Sequence, residues 1–420
     1  MKSNKKKTIL IYGINYYPEL TGIGKYNAEL ATWIQSNTNI QVVALTAFPY
    51  YPNWKVFKDY RNRFYVNKNI EEVTVIRCPI YVPNKLSGIN RIVHDFSFLF
   101  SSFWALLYLR IFHQKFDYIL SVAPPFLIGL NSIFYKLTSS KTKVIYHVQD
   151  LQIDAADQIG MIKSGLLLKI MYSVERFIIK KVDVVTTISD GMKLKLLQKE
   201  QRKVTIFPNW VDSKLVFPVQ FPKYPLLEYE DRMENKIVIF YSGAMGEKQG
   251  LEILIDIASN LHKNNHKEFI FMLCGEGPYK DILSEKIKSQ NIENIIFADL
   301  QPINKFNLLL NYAHIHLVLQ KKSATDLVLP SKLTNILAVG GVCIVTAEPN
   351  TTLYNLIFDN KIGFVVEPEN AEAIVDILLD FKISNNSNVQ NIKKNAIEYA
   401  KTHLNKESII PSFIDSILEN

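Results

Sequence analysis

The strongest constraint on this chain is an alternation that repeats from end to end. Short runs rich in Val, Ile and aromatic residues are separated by segments of helix length. In the first half, strands are expected at 8–13, 40–46, 73–77, 116–122, 143–148, 183–188 and 203–207. In the second half they are expected at 236–242, 268–274, 294–298, 314–319, 342–346 and 362–366. Most are continuously apolar, as strands covered on both faces must be. The pattern predicts an α/β chain of two doubly wound, Rossmann-like domains. Residues 217–235 carry three prolines and an acidic cluster before a new strand. They read as a linker between an N-terminal domain (1–216) and a C-terminal domain (236–400). The tail 401–420 reads as a helix that finishes the second domain or crosses back to the first.

Composition narrows the class. With 48% hydrophobic and 21% charged residues, the 420-residue chain is expected to bury a large core and is not a disordered or low-complexity polymer. Cys78, Cys274 and Cys343 are odd in number and far apart, which excludes a disulfide framework or a zinc knuckle and fits a reducing cytoplasm. The basic opening MKSNKKK leads into only seven apolar residues and a turn, so it reads as a first strand rather than a secretory leader. The longest apolar run, Phe96 to Leu109, is too short to span a bilayer. Its helix is apolar nearly all round and reads as buried core, with membrane contact as the alternative.

Charge is unevenly spread. Residues 1–210 hold 28 Lys and Arg against 14 Asp and Glu, whereas residues 211–420 hold 20 against 26. A basic half beside an acidic half points to an anionic partner for the former: phospholipid, nucleic acid or a phosphorylated substrate. A solvated basic surface is the alternative.

Five motifs sit where chemistry is expected. Gly22, Gly24 and Lys25 follow the first strand and open a helix, a place suited to an anion or to a plain turn. A dinucleotide fingerprint would need Gly at Asn27, and a Walker A loop would need Ser or Thr at Tyr26. Gly243, Gly246 and Lys248 lie at the first strand–helix junction of the second half, where backbone N–H groups and a lysine can meet a diphosphate. Gly275, Glu276 and Gly277 occupy the next such junction. Asp326, Leu329, Pro330, Ser331, Lys332 and Asn335 lead into a helix that Pro330 starts and Gly340 stops. His147 and Asp150 close a buried strand at its carboxyl end, where a histidine is structural, a base or a contact for a hydroxylated substrate. There is no Asp-x-Asp pair, no Gly-x-Ser-x-Gly elbow, no His-Glu-x-x-His and no Cys-x-x-Cys.

Together these residues resemble the GT-B glycosyltransferases of family 4, in the colanic acid WcaI-type and WbuB-type branch. The resemblance runs through Tyr16-Tyr17-Pro18-Glu19, Gly22 to Lys25, Phe48 to Pro52, Ala123-Pro124-Pro125, His147 to Asp150, Pro208 to Asp212, Lys248-Gln249-Gly250 and Leu329 to Leu333. It implies two Rossmann-like domains facing across a cleft, and retaining transfer of a sugar from a nucleotide diphosphate sugar without a cofactor or metal. It assigns catalysis to His147, Asp150 and Lys248. Donor binding falls to Gly22, Gly24, Lys25, Gly243, Gly246, Lys248, Gly275, Glu276, Gly277, Asp326, Leu329, Pro330, Ser331, Lys332 and Asn335. Acceptor binding falls to Tyr17, Glu19, Pro124 and Pro125.

The implied acceptor is a polyprenyl-diphosphate-linked saccharide in surface polysaccharide assembly (capsule, exopolysaccharide or O-antigen). The resemblance further implies no nucleic-acid partner, suggests a donor sugar of fucose type, and implies a cytoplasmic location at the inner face of the cytoplasmic membrane, with the basic half on anionic lipid. Two departures from the family pattern stand out: Leu327 and Asn335 occupy the positions of its usual glutamate pair, and Ala244 stands where a basic residue is common. They leave room for a non-catalytic nucleotide-sugar-binding subunit or a GT-B-like epimerase. A nicotinamide oxidoreductase is disfavoured by Asn27 and by the lack of an acidic residue after the second strand.

Overall fold

The computed structural model describes residues 6–19, 22–84, 87–112, 115–158, 160–162, 164–220, 222–223, 226, 229–324, 330–383 and 387–418. It divides into two units, one of residues 1–208 with 410–420 and one of residues 209–409.

The first unit is built on β1 (Lys7–Gly13), β2 (Ile40–Ala47), β3 (Val66–Ile70), β4 (Val73–Cys78), β5 (Tyr118–Ala123), β6 (Lys143–Val148), β7 (Val184–Thr187) and β8 (Val204–Ile206), in the order β3-β4-β2-β1-β5-β6-β7-β8. All pairings are parallel except β3 with β4. The chain runs outward from β1 to β4, then returns to β5 on the other side of β1. Loops after β1 and β5 therefore flank the topological switch, where open α/β sheets place ligands.

The sequence pattern anticipates every parallel strand and misses β3. That strand is mostly exposed and polar (VNKNI) and lacks the apolar run of a covered strand. Its turn to β4 is made by Glu71 and Glu72, both at positive φ (48° and 64°), without the Asn-Gly or Asp-Gly signal such hairpins usually carry.

Helices α1 (Ile23–Asn37), α2 (Gly88–Phe112), α3 (Ile128–Thr138), α4 (Gln152–Gln158) and α5 (Gly165–Lys181) cover the first sheet. Ser164 caps α5 through Leu167 N–H, and Lys180 and Lys181 end it, each choice suiting the helix dipole. The apolar helix α2 is buried on one face only, through His94, Phe98, Ser101, Ser102, Ala105, Leu106 and Leu109. A polar network pins that face: the Tyr12 hydroxyl lies 2.6 Å from Ser102 Oγ, and Asn131 Nδ2 donates to Tyr12 Oη (3.0 Å) and to Leu99 O (2.9 Å). The expectation of a wholly buried helix is thus corrected to a half-buried one.

The second unit has β9 (Ile237–Ser242), β10 (Phe269–Cys274), β11 (Ile295–Ala298), β12 (Ile315–Val318), β13 (Cys343–Thr346) and β14 (Phe364–Val366), all parallel, in the order β11-β10-β9-β12-β13-β14. Alternate residues of β9 feed two cores. Val238 and Phe240 join one, Ile239 and Tyr241 the other, so the strand reads as continuously apolar.

The boundary lies earlier than the proline-rich stretch suggests. Val211 pairs with Asn405, Asp212 accepts from Lys406 Nζ (2.6 Å), and Val211, Val216 and Met233 are buried in the second unit's core. Phe217 N–H and Val219 N–H donate to the side chains of Asn307 and Asn311. The described part of 217–235 is therefore packed structure of the second unit rather than a free tether. The tail divides at residue 409. Phe413 stacks on Phe207 with ring centroids 4.0 Å apart, and Lys143 Nζ donates to Ile417 O (2.7 Å), both within the first unit.

Candidate active site

In the second unit the glycine-rich loops after β9 and β10 interlock. Gly243 N–H donates to Cys274 O (3.0 Å) and Met245 N–H to Glu276 O (2.8 Å). A Cβ on Gly275 would lie 1.9 Å from Gly243 O, and one on Gly277 2.3 Å from Met245 O. Glycine at 275 and 277 is thus demanded by loop-on-loop packing. Glu276 is held by Lys280 at 2.6 Å. Gly246 N–H is taken by Gln249 Oε1 (3.0 Å), and Gly250 closes the turn in the left-handed region. The expectation that this loop aims its amides at a ligand needs correction, because those of Gly243, Met245 and Gly246 are spent on protein acceptors.

The charge at this loop comes from elsewhere. Lys332 opens the helix Lys332–Ala338 and reaches back over β9. Its Nζ lies 3.6 Å from the Tyr241 ring centroid, and a Cβ on Gly243 would touch it at 3.5 Å. The stem is partly exposed, but Nζ is sealed from solvent and has no hydrogen-bond partner. Burial pulls its pKa down to about 7. A buried amine with no acceptor is costly unless a ligand completes it. Asn335, one turn on, likewise has a buried Oδ1 without a partner. Ser331 precedes the helix and its carbonyl accepts from Thr334 Oγ1; Pro330 is partly buried beside it. Lys321 and Lys322, by contrast, are paired with Glu252 (3.5 Å) and Glu348 (3.1 Å). Asp326 and Leu329 lie outside the described residues, as does the side chain of Lys248, whose backbone forms part of the turn Glu247–Gln249.

In the first unit Gly22 sits at φ 65° and leads into α1, while Gly24 packs against Glu19. Lys25 is 3.8 Å from Glu29 and stays on the helix. Glu19 is 2% exposed. Its Oε1 accepts from Tyr50 N–H and Tyr51 N–H at 2.8 Å each, and its Oε2 from Asn15 Nδ2 at 2.9 Å. Burial raises its pKa, and these donors oppose the rise. Glu19 therefore fastens the loop after β1 to the loop after β2 and does not face an acceptor. Tyr17 is exposed; Pro124 is partly buried and Pro125 buried after β5.

His147 also departs from its expected role. It is 2% exposed, its Nδ1 is 2.9 Å from Thr186 Oγ1, and its ring lies 5.1 Å from that of Phe207. Burial pulls its pKa down to about 3, so it is a neutral core histidine. Asp150 is at the rim of the same sheet, partly buried.

A second cluster was not singled out in the sequence. Tyr50, Trp54 and His94 form a ring group with centroid distances of 4.7–5.4 Å, and the Arg91 guanidinium lies 5.6 Å from the Trp54 centroid. Asp95 accepts from Gln152 Nε2, and burial pushes its pKa up to about 7. Its sequence signal was present: Arg91, His94 and Asp95 share the first turns of an otherwise apolar helix. Among the described residues, no group of three or more His, Cys, Asp or Glu side chains is arranged to hold a metal.

A family model described as glycosyl transferases group 1 matches residues 228–402. The chain is 38% identical over 417 residues to the colanic acid biosynthesis glycosyl transferase WcaI of Escherichia coli, covering 97% of this chain and 99% of that protein. The chain belongs to the group 1 glycosyl transferases. Solved structures place this transferase in the GT-B fold. Sucrose-phosphate synthase from Thermosynechococcus elongatus superposes with a TM-score of 0.72 at 14% identity, covering 98% of both chains. Anabaena HepE, solved with UDP and glucose, gives 0.71 at 12% identity over 99% and 100% of the two chains. WaaG, a lipopolysaccharide glycosyltransferase, gives 0.62 at 13% identity over 98% and 100%.

Proposed function

We propose that this transferase moves a sugar, with retention, from a nucleotide diphosphate sugar to a polyprenyl-diphosphate-linked saccharide in surface polysaccharide assembly, at the cytoplasmic face of a membrane. The relative named for colanic acid biosynthesis supports the pathway class. The observation that carries the donor reading is Lys332: a sealed amine without an acceptor, beside a glycine at the carboxyl end of β9. Cleaving the glycosidic C–O bond builds negative charge on the departing diphosphate. An amine already desolvated at that point, and protonated as the diphosphate binds, stabilises it with little reorganisation, which is where electrostatic catalysis is most effective. The anomeric carbon passes through an oxocarbenium-like state. Asn335, whose Oδ1 lacks a partner, suits a ribose or sugar hydroxyl. The residues present account for leaving-group stabilisation by a side chain, and no cofactor is invoked. A fucose-type donor is the first to test.

The decisive experiment is nucleotide release from a panel of UDP- and GDP-sugars, with and without a polyprenyl-diphosphate saccharide. One donor should turn over in an acceptor-dependent way. Lys332→Ala should lower kcat/KM for that donor about a hundredfold or more, the scale of losing one charged transition-state contact. Unchanged turnover in that variant, or turnover that ignores the acceptor, refutes the reading.

A further inference from the structure

The face of α2 opposite its pinned side is bare. Phe96, Phe100, Trp104, Tyr108 and Phe112 recur every fourth residue, and each is half or more exposed. The apolar surface continues sideways. The Phe103 and Phe134 rings lie 5.1 Å apart, joining α2 to α3, where Leu137 is exposed. A groove between α3 and α5 is lined by Leu130, Ile170, Val174 and Phe177 with Lys169. Leu166, Ile170 and Phe177 are exposed on α5. Aromatic and aliphatic side chains exposed over three neighbouring helices exceed the scattered apolar residues of an ordinary surface.

The charge on these helices is one-sided. They carry Arg91, Arg110, Lys136, Lys169, Arg176, Lys180 and Lys181 against two acids, Asp95 and Glu175. Both acids are engaged: Asp95, partly buried, accepts from Gln152, and Glu175 is 2% exposed and held by Lys199 Nζ at 2.6 Å. Lys169, Arg176, Lys180 and Lys181 are exposed.

We propose that the outer face of α2, α3 and α5 docks in the plane of an anionic lipid leaflet, with the aromatic ribbon of α2 sunk to headgroup depth. This deepens the lipid-linked acceptor reading, on which its purpose rests. Charge selects the occupant. Lys136 is paired with Asp183, just beyond α5, but Lys169, Arg176, Lys180 and Lys181 leave the face with a net excess of exposed cations, so two copies of it repel, whereas phospholipid phosphates match it. Tyr and Trp on the ribbon suit the interface between headgroups and acyl chains. The expectation that this segment is too short to span a bilayer is corrected: the helix extends beyond the apolar run Phe96 to Leu109, and over Gly88–Phe112 it is by length and composition long and apolar enough to cross. Crossing would tear Ser102 and Leu99 O from Tyr12 and Asn131, so it lies along the surface instead.

The test uses the full chain and vesicles of phosphatidylglycerol with phosphatidylethanolamine, against vesicles of phosphatidylcholine alone. The protein should float with the anionic vesicles, and lipids brominated on the acyl chain should quench its fluorescence, an effect lost in Trp104→Phe. The exposed double variant Phe100→Ser, Trp104→Ser should lose vesicle binding at least tenfold while keeping its melting temperature and its nucleotide-sugar turnover on a detergent-dispersed acceptor. Lys169→Glu with Lys180→Glu should weaken binding to anionic vesicles only. Equal flotation by the double variant, absence of wild-type flotation, or a wild-type dimer that the double variant converts to monomer without a change in flotation overturns the proposal. Flotation by a protein inactive on every donor supports the docking face and removes the transferase purpose.

Discussion

At the scale of single residues, Lys332 makes the sharpest predictions. Its folded pKa of about 7 lies below the ordinary lysine value of 10.5. Between those values the unfolded chain holds a proton that the ligand-free native state has shed, so stability rises with pH across that window, by up to about 1.4 kcal/mol per pH unit. Below about pH 7 both states are protonated and this contribution is flat. Lys332→Met should remove the slope in urea melts of the ligand-free protein. Nucleotide diphosphate prefers the protonated amine, so UDP or GDP binding should weaken as pH rises above 7 and should take up a proton. Calorimetry in buffers of different ionisation enthalpy checks this, and pH-independent binding would contradict it.

His147 predicts the opposite kind of outcome. Buried between Thr186 and Phe207, it should cost about 2–4 kcal/mol of stability when cut to alanine, leaving nucleotide affinity intact in the surviving fold. Because its folded pKa is depressed, its stability contribution is present above about pH 6.5 and is lost as pH falls toward 3. Position at a strand end was legible in the sequence. Which way the ring points was not, because that depends on Thr186 of β7 and on Phe207 just after β8, both far along the chain.

At the scale of elements, the parallel strands were readable because helices on both faces force nearly every residue to be apolar. The hairpin of β3 and β4 was hidden for the converse reason: its outer strand is solvated and its turn residues are two glutamates held at positive φ. That turn stores strain. Glu72→Gly should stabilise the protein by about 0.5–1 kcal/mol in denaturant melts, since glycine accepts φ 64° freely. Glu71 is less suitable, because its carboxylate accepts from Thr32 Oγ1 at 2.9 Å. The helix α2 was ambiguous from sequence, since an apolar helix of 25 residues looks alike whether core or lipid faces it. The arrangement of Tyr12, Ser102 and Asn131 decides which side is which.

Across the whole molecule, the glycine junctions of the second unit were readable by spacing, but their division of labour was not. The glycines after β10 serve loop packing, while the buried amine without a hydrogen-bond partner comes from Lys332, more than eighty residues after Gly243 in sequence. The basic half of the chain coincides with the unit that carries α2, α3 and α5. Raising salt should therefore weaken adhesion to anionic vesicles but not abolish it, since the apolar share is unscreened.

The last residues of the chain finish the unit that its beginning starts. Phe413 covers Phe207, and Ile414, Ile417 and Leu418 are buried. An engineer who excises the opening two hundred residues as a stand-alone piece would uncover the surface that the tail occupies from Phe207 to Tyr118 and Lys143, leaving a greasy patch prone to clumping. Adding back a synthetic peptide of the final dozen residues should rescue solubility, which would make this protein a natural candidate for split-reporter designs.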